Sequence, residues 1–329
     1  MAVLKVPRMS TDLLTVDAIV GAIPFQKRLP NADPEAGNNW ALYDYFLDMC
    51  EAHRWKMADV RQAIETVDPR SLTENDQQVV DCVGEVAVVE GNAPSIVINQ
   101  LAIMLYDAEF AAWATYQVGE EAKHFHVLRH YCRHVGHDIA TLHGEASVAA
   151  RQKGFDPTDF QDEYAVVLIN IFGETLNIHL YQTLARHADE PVLKGLLERI
   201  ARDERRHLQW FVAYFRKRAV QDPTYVGRAL ASLRRLIKID EPPERSAQRH
   251  QGSGAVNYLH ATEKVLRYGY SLAIIARTVR EQWAVLEKCF GDELDIDRRQ
   301  FIVRQTARPS TINAAARNAM TVPGAGRVM

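Results

Sequence analysis

Apolar positions recur at helical spacing through most of the chain, and no β-type alternation of any length competes with them. From Trp40 to about Thr66 the apolar face is carried by Leu42, Tyr45, Phe46 and Met49, and the Pro-containing connection DPRSLTEND follows. Ser71 and Thr73 are expected caps for the next helix, since a side-chain oxygen there can accept from a first-turn N–H. That helix is expected over 76–106, where VVDCVGEVAVVEGNAPSIVINQLAIMLY is strongly apolar yet holds Glu85 and Glu90. Pro94 lacks an N–H and should distort the turn that carries Glu90. A second core helix is expected over 107–136, stopping at Gly136, and a connection with a partial helix over 137–157. The third core helix runs from about Asp159 to His187 and the fourth from Pro191 to Asp222-Pro223. Helices over 224–239 and 256–290 come next, separated by the polar loop EPPERSAQRHQGSG. Residues 1–38, with Pro7, Pro24, Pro30 and Pro34, read as an irregular arm, and 306–329 as a flexible tail. The body, 39–305, is therefore expected to be all-α, a four-helix bundle with flanking helices.

Chemistry enters with two pentapeptides, Glu120-Glu121-Ala122-Lys123-His124 and Asp203-Glu204-Arg205-Arg206-His207. Each contains Glu-x-x-His, and residues three apart on a helix share a face, so carboxylate and imidazole can aim at one point. A single such pair is weak. Here each also has a lone upstream glutamate: Glu174 lies 30 residues before Glu204, and Glu90 lies 31 before Glu121. A lone Glu from each of two helices plus Glu-x-x-His from each of two others is the layout of a two-metal carboxylate site inside a bundle. Glu121 and Glu204 are read as bridging ligands, Glu90 and Glu174 as terminal ones, and His124 and His207 as one ligand to each metal. Carboxylates with two imidazoles suit iron and leave positions open for O2. A ligating histidine usually gives its second nitrogen to a carboxylate; Asp203 is the favoured partner, Glu120 the second choice. Glu85 rivals Glu90, but its 36-residue distance to Glu121 matches the other half less well. His126, His130, His134 and His137 crowd the second helix without a His-Glu-x-x-His motif, and His126 lies about 200° around the helix from His124. They read as surface or packing histidines, and the aromatic stripe of 210–215 as core rather than an electron relay.

Composition changes the picture little. The 329 residues are 47% hydrophobic and 25% charged with net charge −3, which gives no reason to expect nucleic acid or an anionic membrane as partner. Cys50, Cys82, Cys132 and Cys289 form no CxxC pair, as fits a reducing cytoplasm. The first residues, MAVLKVPRMSTDLL, lack the apolar core of a signal peptide, and no uncharged apolar run approaches the ~18 residues of a membrane helix. A cytoplasmic protein is expected.

On these residues the chain resembles the soluble acyl-(acyl carrier protein) desaturases of the ferritin-like di-iron superfamily. VVDCVGEVAVVEGNAPS is similar to the family's first-ligand segment, where a proline follows the glutamate by four. EEAKHFHVLRHYCRHVG is similar to its EENRH helix, and GFDPTDFQDEYAVVLINIFGETLNIHLYQTLAR with ARDERRHLQWF to its third and fourth core helices. DPTYVGRALASLRR and 256–290 extend the likeness to roughly 50–305. The resemblance implies a homodimer with two irons at Glu90, Glu121, His124, Glu174, Glu204 and His207. It also implies O2 as co-substrate, a ferredoxin-type electron donor, and a cis double bond placed in a carrier-bound acyl chain. Trp55 would match a family tryptophan on the electron route. One residue departs: Asn177 stands where the family has a threonine beside the O2 face, and an amide cannot reproduce a hydroxyl's proton handling. A di-iron hydroxylase or arylamine N-oxygenase is therefore the alternative outcome, although N-oxygenases carry a histidine where this chain has Ile200. The radical subunit of ribonucleotide reductase would need a tyrosine at Leu128, and an iron-storage cage would not need the extra C-terminal helices. Arg228, Arg234, Arg235 and Lys238 could dock an acidic carrier, but a solvated helix face is the better reading.

Overall fold

The computed structural model describes residues 40–138, 160–237 and 264–303 except position 266, together with 141, 144 and 305. The expected arm and tail, most of the partial helix, the 241–254 loop and Lys238 lie outside the described residues. The helices are α1 Ala41–Ala52, α2 Met57–Glu65, α3 Glu74–Glu90, α4 Ala93–Met104, α5 Ala108–His134, α6 Glu163–His187, α7 Pro191–Gln221, α8 Tyr225–Ile237 and α9 Ser271–Phe290. Single 3₁₀ turns lie at Pro69–Ser71 and Gly291–Glu293, and no strand occurs among the described residues.

Local chemistry accounts for the ends of these helices. Thr73 starts α3 through a capping box, its hydroxyl accepting from Asp76 N and the Asp76 carboxylate accepting from Thr73 N. Asp76 also accepts from the backbone N–H groups of Asp189 and Glu190, tying the start of α3 to the start of α7. Ser71 is not the cap; its hydroxyl donates to Asp68 O within the 3₁₀ turn. Thr73→Ala should therefore cost about 1 kcal/mol, read as a lower urea midpoint at unchanged slope; an unshifted midpoint would show that the box adds nothing. Asp107, Asp162 and Glu190 cap α5, α6 and α7, and Gly136, at φ +82°, ends α5 as its sequence position predicts.

Three expected helices are interrupted. The 76–106 segment divides after Glu90, because Pro94 cannot donate to the Glu90 carbonyl and its ring crowds that oxygen. Gly91 permits the close approach there, since a Cβ would lie 3.3 Å from the Phe125 ring of α5. Trp40–Thr66 divides into α1 and α2 at 53–56, where the His53 ring nitrogen Nδ1 lies 2.8 Å from Met49 O. The last expected helix breaks at Gly269, whose φ of +80° no helix accommodates.

The core bundle is a closed ring in which α3 meets α5, α5 meets α7, α7 meets α6 and α6 meets α3. Beyond the break, α4 packs on α5 and α6, while α1 and α2 cover α5 and α7, and α8 and α9 cover α6 and α7. Among the described residues only Glu74–Met104 has the length and composition to cross a membrane; here it is an interrupted pair of bundle helices. The apolar interior comes in two parts. One holds Val79–Ala87, Val127–Cys132 and Leu193–Ala201; the other holds Phe110–Ala114, Val166–Ile171 and Leu208–Phe215. Along α5 and α7 the buried residues between the two parts are Gln117, Glu120, Glu121, His124, Asp203, Glu204, Arg206 and His207.

Candidate metal centre

This polar layer would be costly in an apolar interior unless its groups satisfied one another or a cation. Two overlapping groups converge there: Glu90, Glu121, His124 and Glu204, and Glu121, Glu174, Glu204 and His207. Within each, one ligand atom per residue lies within 4.8 Å of the others, and Glu121 and Glu204 belong to both. The four bundle helices thus bring all six expected residues to one point. Glu85 is not among them; its carboxylate accepts from Lys264 N, outside the layer.

The two halves of the layer are crossed. His124 Nδ1 lies 3.1 Å from Glu121 Oε2 and 3.4 Å from Glu204 Oε1, while its Nε2 is 3.0 Å from Asp203 Oδ2 on α7. His207 Nδ1 lies 3.2 Å from both Glu121 Oε1 and Glu204 Oε2, while its Nε2 is 3.1 Å from Glu120 Oε2 on α5. Each imidazole thus turns Nδ1 to the carboxylates and is oriented by the acid preceding the other helix's motif. Asp203, the favoured partner, and Glu120, the second choice, both take this supporting position. Arg206 pairs with Asp203, and Lys123 Nζ lies 3.6 Å from Glu120 and 3.8 Å from Asp203. Trp55 Nε1 donates to Asp203 Oδ2 at 2.8 Å, and its ring stacks over His124 at 6.4 Å.

Three further side chains escaped the sequence reading. Gln117 Nε2 donates to Glu174 Oε1 at 2.6 Å and to Glu121 Oε1 at 3.3 Å. The Tyr181 hydroxyl donates to Glu90, and the Trp113 ring meets His207 edge-on at 6.1 Å. The available signal was periodicity: Gln117 stands four before Glu121, and Tyr181 seven after Glu174, each on its ligand's helix face. Asn177 is half-buried, one turn past Glu174. His130 and His134 lie elsewhere, against Glu65 and Val67 O, and His137 lies against Asp81.

Electrostatics follow from burial among like charges. Burial first, then Glu121 and Glu204, raise the Glu90 carboxyl well above its usual range; burial and Glu204 do the same to Glu174. For Glu121 burial pushes the same way, but His207 and His124 outweigh it and hold the carboxyl well below the usual range. Burial would lower both imidazoles, yet the surrounding carboxylates raise them well above an ordinary histidine. Without metal, cationic imidazoles therefore offset part of the carboxylate charge.

The donors fit metal ions. Glu174 Oε2 and Glu204 Oε1 are buried without a hydrogen bond of good geometry, the kind of lone pair a cation satisfies. Four converging carboxylates match the charge of two divalent ions, while Arg206 and Lys123 balance Asp203 and Glu120.

The fold and site together define an all-helical bundle protein whose interior carries a carboxylate–histidine layer able to hold metal. A family profile described as fatty acid desaturase matches residues 38–318. The chain belongs to the fatty acid desaturase family, and is accordingly an oxidoreductase. No curated protein sequence matches it.

Proposed function

We propose that the chain is an O2-dependent di-iron oxidase of ferritin-like fold that introduces a double bond into a fatty acyl chain carried by acyl carrier protein. The observation that carries this reading is the convergence of six donors from four helices into two groups sharing Glu121 and Glu204. In it Glu121 and Glu204 would be shared between two metal ions, Glu90 and Glu174 would each serve one as terminal ligands, and His124 and His207 would each offer Nδ1. Two irons held there would supply the electrons for O2 activation. The chain's own residues do the rest. Asp203 and Glu120 keep a proton on each Nε2, leaving Nδ1 as the donor atom. Gln117 and Tyr181 restrain Glu174 and Glu90, and the two apolar halves of the core keep water from the layer.

A ferredoxin-type donor would deliver electrons on the Trp55 side, through Asp203 and His124. The described arginines Arg228, Arg234 and Arg235 pair with Asp222, Asp295 and Asp162, which supports the solvated-face reading over carrier docking. Ile98, Leu105 and Tyr106 stay exposed around α4, an apolar face a second copy would cover in the homodimer. The four cysteines are free and buried, in keeping with a cytoplasmic setting.

Asn177 supports a second reading, a monooxygenase on the same scaffold that hydroxylates its substrate. Its arylamine N-oxygenase form is disfavoured by Ile200, which is fully buried among apolar side chains. Anaerobic loading with Fe(II), then reductant, O2 and acyl-carrier-protein substrates, separates these by mass. A product lighter by two hydrogens supports desaturation, one heavier by an oxygen supports hydroxylation, and no oxidised acyl product rejects the desaturase assignment.

A further inference from the structure

The half of the layer built around His207 leads into a row of aromatic rings that the metal site itself does not use. Trp113, edge-on to His207 at 6.1 Å, stacks on Trp210 with centroids 4.8 Å apart and planes 6° apart. Trp210 in turn stacks on Tyr214 at 5.0 Å and 16°. The Tyr214 hydroxyl donates to Asp107 Oδ2 at 2.6 Å, and Arg218 Nη1 lies 2.8 Å from the same oxygen. Both indoles and the Tyr214 ring are essentially inaccessible to solvent, whereas Asp107 and Arg218 reach the surface with side chains 14% and 21% exposed. The burial agrees with core packing. Packing alone gives no reason to choose two parallel indoles whose Nε1–H groups are both buried without a partner, since each such group is costly and phenylalanine would avoid the cost.

We propose that Trp113, Trp210 and Tyr214 form a redox outlet, distinct from the Trp55 side, that carries an oxidising equivalent from the metal centre to Tyr214, beneath the partly exposed Asp107–Arg218 pair, when no acyl substrate is present. The inference rests on the di-iron reading. The oxidant is the metal centre after reaction with O2. One electron leaves the Tyr214 phenol, passes through Trp210, Trp113 and His207, and reduces the centre by one electron. The phenolic proton passes to the Asp107 carboxylate, leaving a neutral tyrosyl radical. Tyr116 is a poorer terminus, because its ring is tilted 32° from Trp113 at 5.8 Å and its hydroxyl meets the Cys50 thiol rather than a carboxylate.

The test is to load the full chain anaerobically with Fe(II), mix it with O2 in the absence of substrate, and record iron content, O2 uptake and freeze-quenched electron paramagnetic resonance spectra. The parent protein should take up O2 and develop a tyrosyl signal. Tyr214→Phe should keep the uptake and lose the signal; Asp107→Asn, which retains the ring and the cap, should lower its yield. Trp113→Phe and Trp210→Phe forfeit no hydrogen bond and should slow its rise about tenfold, equivalent to about 1.4 kcal/mol of barrier. O2 uptake without an organic radical, or a tyrosyl signal undiminished in Tyr214→Phe, overturns the outlet alone. Failure to bind iron or consume O2 overturns the functional reading and the outlet with it.

Discussion

Replacing Glu204 by alanine will leave the protein unable to hold a metal pair and will abolish the rise in melting temperature that metal gives the parent chain. Glu204 is shared by both groups of donors and has no exposed surface, so its loss removes an oxygen from each position at once. Metal at 1,000 times its dissociation constant contributes about 4 kcal/mol per site. Two sites contribute about 8 kcal/mol, a shift of roughly 15 °C at ~2 °C per kcal/mol for a large domain. In the parent that shift should grow as pH rises through neutrality, because His124 and His207 hold their protons well above the ordinary histidine value of ~6.5 and must release them from Nδ1 to bind metal. Thermal melts with and without Fe(II), together with metal analysis, check both statements. Full metal content in Glu204→Ala, or a shift that shrinks as pH rises, would contradict the shared-ligand geometry.

Asp203→Asn will destabilise the protein by about 3–5 kcal/mol, the cost of leaving a buried ion-pair partner uncompensated, and will weaken metal binding by about 10–100-fold. Asp203 is almost wholly buried and receives Trp55 Nε1, His124 Nε2 and the Arg206 guanidinium. Burial pushes its carboxyl up, but His124, Arg206 and Lys123 outweigh burial and hold it well below the usual carboxylate range. A carboxyl depressed in the folded state contributes its stability above the unfolded value, about pH 4, and loses it as pH falls through the folded one. The variant's deficit should accordingly be flat through neutral pH and narrow only in acid. Asp203→Asn combined with Arg206→Met should recover much of the stability by removing the stranded cation, without recovering metal affinity. A double variant no more stable than the single one would mean that Arg206 is satisfied elsewhere.

The bundle and its donors were legible because the signals are local. Glu-x-x-His needs only one helical turn to aim two side chains together, and Pro94 marked the disturbance beside Glu90 four residues away. The break between α1 and α2 was not legible, since 53–56 contains neither proline nor glycine. It accompanies a contact 148 residues distant, in which Trp55 reaches Asp203. Long-range demand of this kind overrides intrinsic propensity. The crossing of His124 to Asp203 and of His207 to Glu120 was half-anticipated: sequence identified the acids but could not say which helix each would serve. Gln117 and Tyr181 were hidden differently, being polar residues on a face otherwise read as core.

The crossed supports bear on how the chain tolerates insertion. Each imidazole is aimed by an acid on the other rod, so sliding α5 along α7 by a single residue, about 1.5 Å, would misalign both rings together. Length changes in the connection between α5 and α6 leave that registration untouched. One extra residue between Glu120 and His124, or between Asp203 and His207, would rotate a donor by about 100° and disable both positions, so variation among related chains should gather in the connections and spare these two pentapeptides.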